Sequence, residues 1–451
     1  MKLLMGRPPM GGRRNETKYR AANPFGCVVL VWVFVGCSPC VAQFNIEEPP
    51  ILYSETDGDN AISDLAEKLK AKSVELEYES GTEYLRSLLA ALDISPASQV
   101  LVFSKTSLQI RHISPRSPRA IYFNDDTYVA WVRGSSLIEM STTDPQLGAA
   151  FYRVNMTPRK AYILRANYEC LSCHATTLTQ GVPGHTVRSV MPKYDGSIDA
   201  QEASFVTDHS SPFAERWGGW YVSGEAGEMK HMGNAIVQSG ELTNRGDENL
   251  LDLKGRFQTD DWLTPYSDIV ALMVLEHQTQ MHNTMSRANF RVRRAQYDHE
   301  MAYGLGNPDT ATPVPADATQ ELDLVISQAA KEVVDGMLFV GETLLTSNVK
   351  GTSGFSEAFV RRGPTDDSGR SLRDLNLKTR LLEYPCSYLI YSSAFDSLVA
   401  PLKSQVYHQL GAVLNGQNPS DEYSHLDSDT RKAIRTILQA TKTDLPLGWQ
   451  S

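Results

Sequence analysis

The sequence predicts an α+β fold, in which an N-terminal antiparallel β-containing region is followed by a mostly α-helical C-terminal half. Short apolar runs separated by turn residues begin at Gln99 and predict the antiparallel strands. Longer segments, with apolar residues at every third or fourth position, predict helices from about residue 266 to the C-terminus.

The first 42 residues have the pattern of a secretory signal peptide. They contain six Lys and Arg and the single acid Glu16, and an apolar run extends from Cys27 to Gly36. A run of this length is too short to cross a hydrocarbon core of ~30 Å but suits a secretory h-region. Small residues before Gln43 predict cleavage there and export to the periplasm, with no transmembrane span in the mature chain.

Signal removal makes the chain more acidic. The loss of six of the 43 Lys and Arg and one of the 53 Asp and Glu leaves a net charge of −15. This charge is unfavourable for binding nucleic acids and anionic membrane surfaces, so neither is expected as a partner. A lipoprotein anchor at Cys37 is the less favoured route to a membrane, because Phe34 stands where a lipobox prefers leucine.

The mature chain begins with a predicted linker and N-terminal helices, residues 43–98. Residues 43–60 are acidic and contain proline, which is typical of a linker. Helical spacing of apolar residues follows in residues 61–92, where Ile62 and Leu65 belong to one stripe.

A β-rich region is predicted for residues 99–245. Turn residues such as Asn124-Asp125-Asp126 separate its strands. A further strand is predicted at Thr186–Met191. The main predicted strands are Val100–Phe103, Ala120–Phe123, Tyr128–Val132, Leu137–Met140 and Ala149–Val154.

Within this region, Cys170-Leu171-Ser172-Cys173-His174 has the spacing of a c-type haem attachment site. Each thiol adds to one vinyl group of the porphyrin, and the following imidazole can ligate the iron. The alternatives are a redox Cys-x-x-Cys pair, half of a zinc site, and chance. A zinc site needs two more Cys or His ligands at short range, and the chain has no second such pair. A thioredoxin-like pair opens a helix in a βαβ pattern, whereas Tyr168 and Glu169, directly before this motif, are predicted to lie in an Arg- and Asn-rich loop.

Export and cysteine usage both favour haem attachment. Covalent attachment takes place outside the bacterial cytoplasm, where the predicted signal directs the chain. Three of the six cysteines lie in that signal and two in the motif, which leaves Cys386 alone, as a small core residue without a disulfide framework. We therefore predict one covalent haem c in the region 99–245, attached through Cys170 and Cys173, with His174 as the proximal iron ligand.

Residues 246–451 are predicted to be mostly helical. The best long helix covers residues 266–296. A signal resembling a capping box at Asp317 begins a second helix through about Leu345. Further predictions are an irregular loop at 348–375, helices around 379–414, and a last helix from Asp427 to about Lys442.

The sixth iron ligand stays open among Met232, His231, His277 and His282. If His231 and Met232 lie on a strand, only one of them can face the iron, whereas Gly233-Asn234 directly after them fits a surface turn. His277 and His282 differ by roughly 140° around a helix, so they are not a ligand pair for one metal. A lone histidine on an apolar helical face, such as His277, is more often a core residue.

Three further patterns concern the surroundings of the haem. Aromatic residues that alternate with glycines in residues 217–221 suit either an ordinary core strand or a wall of the haem site. His185 and His209 lie in turn-rich segments and are predicted to be surface residues. A basic cluster near the end of the long helix suits either a solvated face or partners for the haem propionates; it comprises Arg287, Arg291, Arg293 and Arg294.

The chain resembles a family of large, exported, single-haem cytochrome-c-like bacterial proteins. The resemblance extends from about residue 99 to the C-terminus. It lies in CLSCHA at 170–175, in IYFNDDTYVAWVRG before it, and in ERWGGWYVSG, HMGN, LEHQTQMHN and YPCSYLIYSSAFD after it. The family has no assigned reaction, so the resemblance implies haem binding and redox activity. It assigns Cys170 and Cys173 to attachment and His174 to the iron, and assigns no sixth ligand.

Two functions are compatible with one haem. The first is electron transfer to or from a redox partner protein or a small-molecule electron donor or acceptor, which follows from the haem alone. The second is a haem-dependent, peroxidase-like oxidoreductase with an open or displaceable distal site, favoured by the size of the chain and its histidines. Peroxide cleavage needs a positioned base and a charge-stabilising group near the iron, and no such pair is recognisable in the sequence. We therefore expect electron transfer.

Overall fold

The centre of the protein is a seven-stranded antiparallel sheet with one long helix packed against one of its faces. The computed structural model describes residues 45–157, 161–198, 204–238, 241–243, 249–306, 311–418 and 420–450. The predicted signal peptide and Cys37 lie outside these residues. The described residues belong to one compact unit, Val41–Ser451.

The sheet has the strand order β6-β5-β4-β3-β2-β1-β9, and each neighbouring pair is antiparallel. Two small sheets pair β7 with β8 and β10 with β11. The strands are β1 (Val100–Val102), β2 (Arg119–Phe123), β3 (Thr127–Val132), β4 (Leu137–Asp144), β5 (Gly148–Asn155), β6 (Ile163–Arg165), β7 (Arg188–Ser189), β8 (Phe205–Val206), β9 (Trp220–Tyr221), β10 (Ile236–Gln238) and β11 (Glu241–Thr243).

The five main strand predictions are confirmed as β1 to β5. The turn between β2 and β3 forms because the Asn124 side-chain oxygen accepts hydrogen bonds from the backbone N–H groups of Asp126 and Thr127. The strand predicted at Thr186–Met191 is reduced to the two residues of β7.

The strand register divides the side chains of the sheet between two faces. Alternate residues of a strand point to opposite sides, and directly paired residues share a side. Ile121 is paired with Ala130, and Ala130 with Glu139, on what we call the cavity face. We call the other side the packed face. The cavity face carries Arg119, Ile121, Tyr128, Ala130, Glu139, Ser141 and Phe151, and the packed face carries Ala120, Tyr122, Val129, Trp131, Ile138 and Met140.

The packed face is covered by helices α1 (Ala61–Lys70) and α2 (Gly81–Ala91). Asn60 caps α1, since its side chain accepts hydrogen bonds from the first-turn N–H groups. Tyr53 lies in the same apolar cluster, and its hydroxyl donates to the Ala149 carbonyl over 2.8 Å. The described part of the predicted linker, residues 45–60, is therefore packed against the sheet.

The cavity face is covered by the 35-residue helix α4 (Ile269–Tyr303). Asp268 begins this helix by accepting hydrogen bonds from the N–H groups of Val270 and Ala271, and Gly304 ends it with a φ of 62°. Helices α5 (Ala316–Met337) and α8 (Ala400–Leu414) pack behind it.

The helical C-terminal half confirms the predicted α+β fold, with local corrections. The helix predicted through Leu345 ends at Met337, because residues 338–342 turn away from the helix. The predicted irregular loop at 348–375 contains a short helix. Within the described residues, no helix is both long and apolar enough to cross a membrane. The remaining helices are α3 (Tyr168–His174), α6 (Phe355–Arg361), α7 (Ser393–Asp396) and α9 (Ser428–Thr441).

Candidate haem-binding cavity

A cavity of about 390 Å³ lies on the cavity face of the sheet. Its floor is formed by side chains of β2, β3, β4 and β5. Its walls are α3, the segment from His185 to Arg188, Trp220 of β9, and Leu275 and Thr279 of α4. Cavities of this size are typical of sites for small molecules and cofactors.

All three residues of the attachment motif line this cavity. Cys170, Cys173 and His174 lie on α3, which follows β6 directly. Residues three and four apart share one face of a helix, so Cys170 has Cys173 and His174 as neighbours. The loop predicted for Tyr168 and Glu169 is wrong, since both residues belong to this helix. That helix follows an antiparallel strand, however, and does not belong to a βαβ unit.

His174 is held in the orientation that an iron ligand needs. Its Nδ1–H donates to the Gly184 carbonyl over 2.9 Å, and the Gly184 N–H donates to the His174 carbonyl over 2.9 Å. Among the described residues, no group is hydrogen-bonded to Nε2, which is the ligating nitrogen in this tautomer. Burial lowers the pKa of His174, so its imidazole is neutral, as metal ligation requires.

The two motif cysteines are free thiols. Burial raises the pKa of Cys170 to about 11, and the carboxylates of Glu139 and Glu169 add to this effect. Cys173 is exposed. A protonated thiol supplies the sulfur and the hydrogen that add across a vinyl double bond. The two cysteines therefore fit the formation of thioethers with a porphyrin.

Charged side chains in the cavity fit the carboxylates of a haem group. The guanidinium groups of Arg119 and Arg188 line the cavity, and the Nε of each is buried without a hydrogen-bond partner among the described residues. The Arg119 Nη1 lies 3.5 Å from the Glu139 Oε2, and the Arg188 Nη2 donates a hydrogen bond to the Ser204 Oγ. Guanidinium groups bind carboxylates through paired hydrogen bonds, so these two arginines are suited to hold propionates.

The arginine cluster near the end of α4 forms ion pairs and hydrogen bonds outside the cavity. Arg287 and Arg291 both form ion pairs with Glu332 of α5, and Arg294 pairs with Glu48. None of the four arginines lines the cavity. They join α4 to its neighbours in the described part of the chain and lie outside the candidate haem site.

None of the four predicted sixth ligands lines the cavity. His277 has both ring nitrogens engaged, since Nδ1 lies 3.2 Å from His209 Nδ1 and Nε2 lies 2.8 Å from Ser387 Oγ. Its ring stacks on Phe339 with centroids 4.0 Å apart. His277 is therefore a satisfied core histidine. His209 is only 8% exposed, so its prediction as a surface residue is wrong.

His231 and Met232 lie on a turn and not on a strand. The His231 Nδ1 accepts a hydrogen bond from the Gly233 N–H over 3.1 Å, and its ring packs on Trp217. Asn234 has a φ of 66°, which is typical of a turn. The turn holds His231 in the core, where it is 8% exposed.

His282 lies one layer behind the cavity. Its Nδ1 is 2.9 Å from the hydroxyl oxygen of Tyr128, and Tyr128 lines the cavity. His282 is therefore connected to the cavity through the side chain of Tyr128.

His185 is the imidazole that the sequence did not identify. It lines the cavity and is only 6% exposed, so its prediction as a surface residue is wrong. Its Nε2 lies 2.9 Å from Ser141 Oγ, and its Nδ1 is buried without a partner among the described residues. The Asn283 side chain accepts from the His185 N–H and donates to the His185 carbonyl, over 2.9 and 2.7 Å.

Gly184 permits this clamp, because a Cβ at its position would lie 2.2 Å from the Asn283 Oδ1. The dipeptide Gly184-His185 thus orients His174 through the Gly184 carbonyl and presents a second imidazole to the cavity. The one available sequence signal was its position in a glycine- and proline-rich segment, eleven residues after His174.

The glycine-rich aromatic segment contributes one wall residue. Trp220 lines the cavity and donates its indole N–H to the Arg188 carbonyl, whereas Trp217 is fully buried in the core. A Cβ at Gly218 would lie 2.3 Å from the Val190 carbonyl oxygen. Gly218 therefore allows the segment to pack on the chain near β7, and of its two tryptophans Trp220 lines the cavity.

Comparison with known proteins gives no match: no family model, no curated protein and no solved structure is similar to this chain. Within the described ranges, no three His, Cys, Asp or Glu side chains are grouped as ligands for a metal ion.

Proposed function

We propose that the protein is an exported c-type cytochrome that carries one covalently attached haem c and acts in electron transfer. The observation that supports this proposal is the convergence of Cys170, Cys173 and His174 on a single cavity of cofactor size. The spacing of the motif alone does not require a cavity, and a thiol pair with another role needs none.

The residues of the cavity have distinct roles in this proposal. Cys170 and Cys173 form the thioethers, His174 binds the iron through Nε2, and Gly184 fixes the ring of His174. Arg119 and Arg188 hold the propionates. The haem itself supplies a reversible one-electron couple, whose potential the axial ligands and surrounding charges tune.

Electron transfer fits the position of the motif at the surface. Cys173 is exposed, and the neighbouring Tyr168 has 87% of its surface exposed. A haem joined to Cys173 therefore has one edge close to solvent, where a redox partner protein or a small-molecule electron donor or acceptor can approach. The resemblance to exported single-haem proteins supports the same proposal.

The test is production of the full chain in a host that matures c-type cytochromes. Extraction with acid acetone should leave the porphyrin on the protein, and the intact mass should exceed that of the cleaved chain by one haem. The double variant Cys170→Ala/Cys173→Ala should lose the covalent haem, whereas Cys386→Ala should keep it, because Cys386 is buried and does not line the cavity. A colourless zinc-containing protein would contradict the proposal.

A haem-dependent oxidoreductase is the second candidate function. Glu139 and Arg119 line the cavity together, as do His185 and Ser141. A base and a cation near the iron are the groups that peroxide cleavage uses. The ferric spin state distinguishes the two functions: low-spin, six-coordinate iron favours the carrier, and high-spin, five-coordinate iron favours the enzyme.

A further inference from the structure

Tyr128 forms a phenol–imidazole pair on the wall of the cavity. This residue of β3 is 6% exposed, lines the cavity, and packs on His185 with ring centroids 4.3 Å apart. Its hydroxyl oxygen lies 2.9 Å from His282 Nδ1 and 2.9 Å from Gln278 Nε2. Both partners belong to α4 and are buried.

The direction of each hydrogen bond follows from the surroundings of Gln278. Its Nε2 lies 2.7 Å from the Asn124 carbonyl oxygen, which can only accept, so this end of the amide is the NH₂ group. Its Oε1 accepts from the Tyr388 hydroxyl over 2.7 Å. Gln278 therefore donates to the Tyr128 oxygen. The phenolic proton of Tyr128 is left to donate to His282 Nδ1, which satisfies the Tyr128 hydroxyl and both ends of the Gln278 amide.

His282 is able to accept that proton. Burial lowers the pKa of His282 to about 4, against the opposing effect of the carboxylates of Asp126 and Asp125. The imidazole is therefore neutral near pH 7 and has a lone pair on Nδ1. A phenol that loses an electron becomes a strong acid, so an adjacent base makes its oxidation easier.

We propose that Tyr128 is a redox-active tyrosine that gives one electron to the haem group after reaction with a hydroperoxide, while its phenolic proton moves to His282 Nδ1. This inference rests on the proposed covalent haem and belongs to the second candidate function, in which the distal side of the iron is open or displaceable. Reduction of a hydroperoxide breaks the O–O bond and takes two electrons and two protons, giving water and an alcohol, or two waters from H₂O₂. The protons come from the solvent, one electron comes from the haem, and the other comes from Tyr128.

Tyr122 provides a matched control on the neighbouring strand. It lies on the packed face, is fully buried, and donates to Gln99 Oε1 over 2.7 Å. It shares the sheet, the burial and the hydrogen-bonded hydroxyl of Tyr128. It lacks both the contact with the cavity and the imidazole partner.

The experiment mixes the haem-loaded ferric protein with H₂O₂ and freezes the sample after milliseconds for electron paramagnetic resonance. We expect a tyrosyl radical in the wild type and in Tyr122→Phe, and its loss in Tyr128→Phe. In His282→Gln the signal should form more slowly and change its line shape, because the hydrogen bond to the phenoxyl oxygen is altered.

The haem content of each sample, measured by mass, separates the outcomes. A wild type without covalent haem rejects both the proposed function and this inference. A haem-loaded protein whose radical persists unchanged in Tyr128→Phe, or that forms no radical with H₂O₂, rejects the inference alone.

Discussion

The two faces of the central sheet come from the same strands but differ in chemistry. On the packed face, Tyr122, Val129 and Ile138 are fully buried beneath α1 and α2 and fill the core. On the cavity face, helix α4 also covers the sheet, yet Arg119 and Glu139 line an internal space. These two side chains are half-buried and form an ion pair with each other. The difference teaches that one face is filled by apolar packing and the other leaves a cavity lined by polar and charged side chains.

The largest expected effect is the loss of covalent haem when a bulky side chain fills the cavity. Ala130→Trp places a large ring on the cavity floor, where Ala130 now lines the space. We expect a folded protein that no longer carries covalent haem, because the porphyrin and the indole compete for one volume. Haem content by absorption and mass, with circular dichroism for folding, checks this. Normal haem content would show that the porphyrin lies elsewhere.

A substitution at His185 tests whether the cavity face supplies the sixth ligand of the iron. We expect His185→Ala to shift the ferric spectrum from low spin toward high spin, since His185 is the second imidazole that lines the cavity. Met232→Ala and His277→Ala are the controls and should leave the spectrum unchanged, because neither residue lines the cavity. Identical spectra in all three variants would mean an open distal side and would favour the oxidoreductase.

The packed face should respond in stability alone. Ile138→Ala removes a fully buried side chain of β4, and such truncations lower the free energy of unfolding by about 2–5 kcal/mol. The haem spectrum and reduction potential should stay as in the wild type. Denaturant unfolding checks the first expectation and spectroelectrochemistry the second. An altered potential would show that the two faces are coupled.

The smallest expected effect is a difference in acid stability. The pKa of His282 is about 4 in the folded protein against an ordinary value of 6.5. Because the folded-state pKa lies below the ordinary value, the unfolded chain binds the proton more readily. The stability that depends on a neutral His282 is therefore fully present above pH 6.5 and is lost as the pH falls toward 4. At about 1.4 kcal/mol per pKa unit, the wild type should lose about 3 kcal/mol more than His282→Gln between pH 7 and 4.

Unfolding by urea at each pH measures this loss. Tyr122→Phe on the packed face, where the hydroxyl stays protonated throughout this range, should follow the wild-type curve. Equal acid sensitivity of wild type and His282→Gln would contradict a neutral imidazole beside Tyr128 and would weaken the proposed role of this pair.

The sequence by itself determined the features that depend on local spacing. Short apolar runs between turn residues predicted β1 to β5, and the Cys170-x-x-Cys173-His174 spacing predicted the attachment residues, because both patterns are set by neighbouring residues. The sequence could not show which of His277 and His282, two histidines of α4, lies nearer to the cavity. Residues 269–279 of that helix are buried without a break, so helical periodicity did not reveal which face meets the sheet.

Only the tertiary structure decided the rest of the site. The Tyr128 and His282 pair is separated by 154 residues, and Asn283 clamps His185 from 98 residues away. Arg119 and Glu139 share the cavity face because β2, β3 and β4 pair in one register, and a shift of one residue would send each to the packed face. Such neighbours are fixed by packing between distant segments, which no local pattern in the chain encodes.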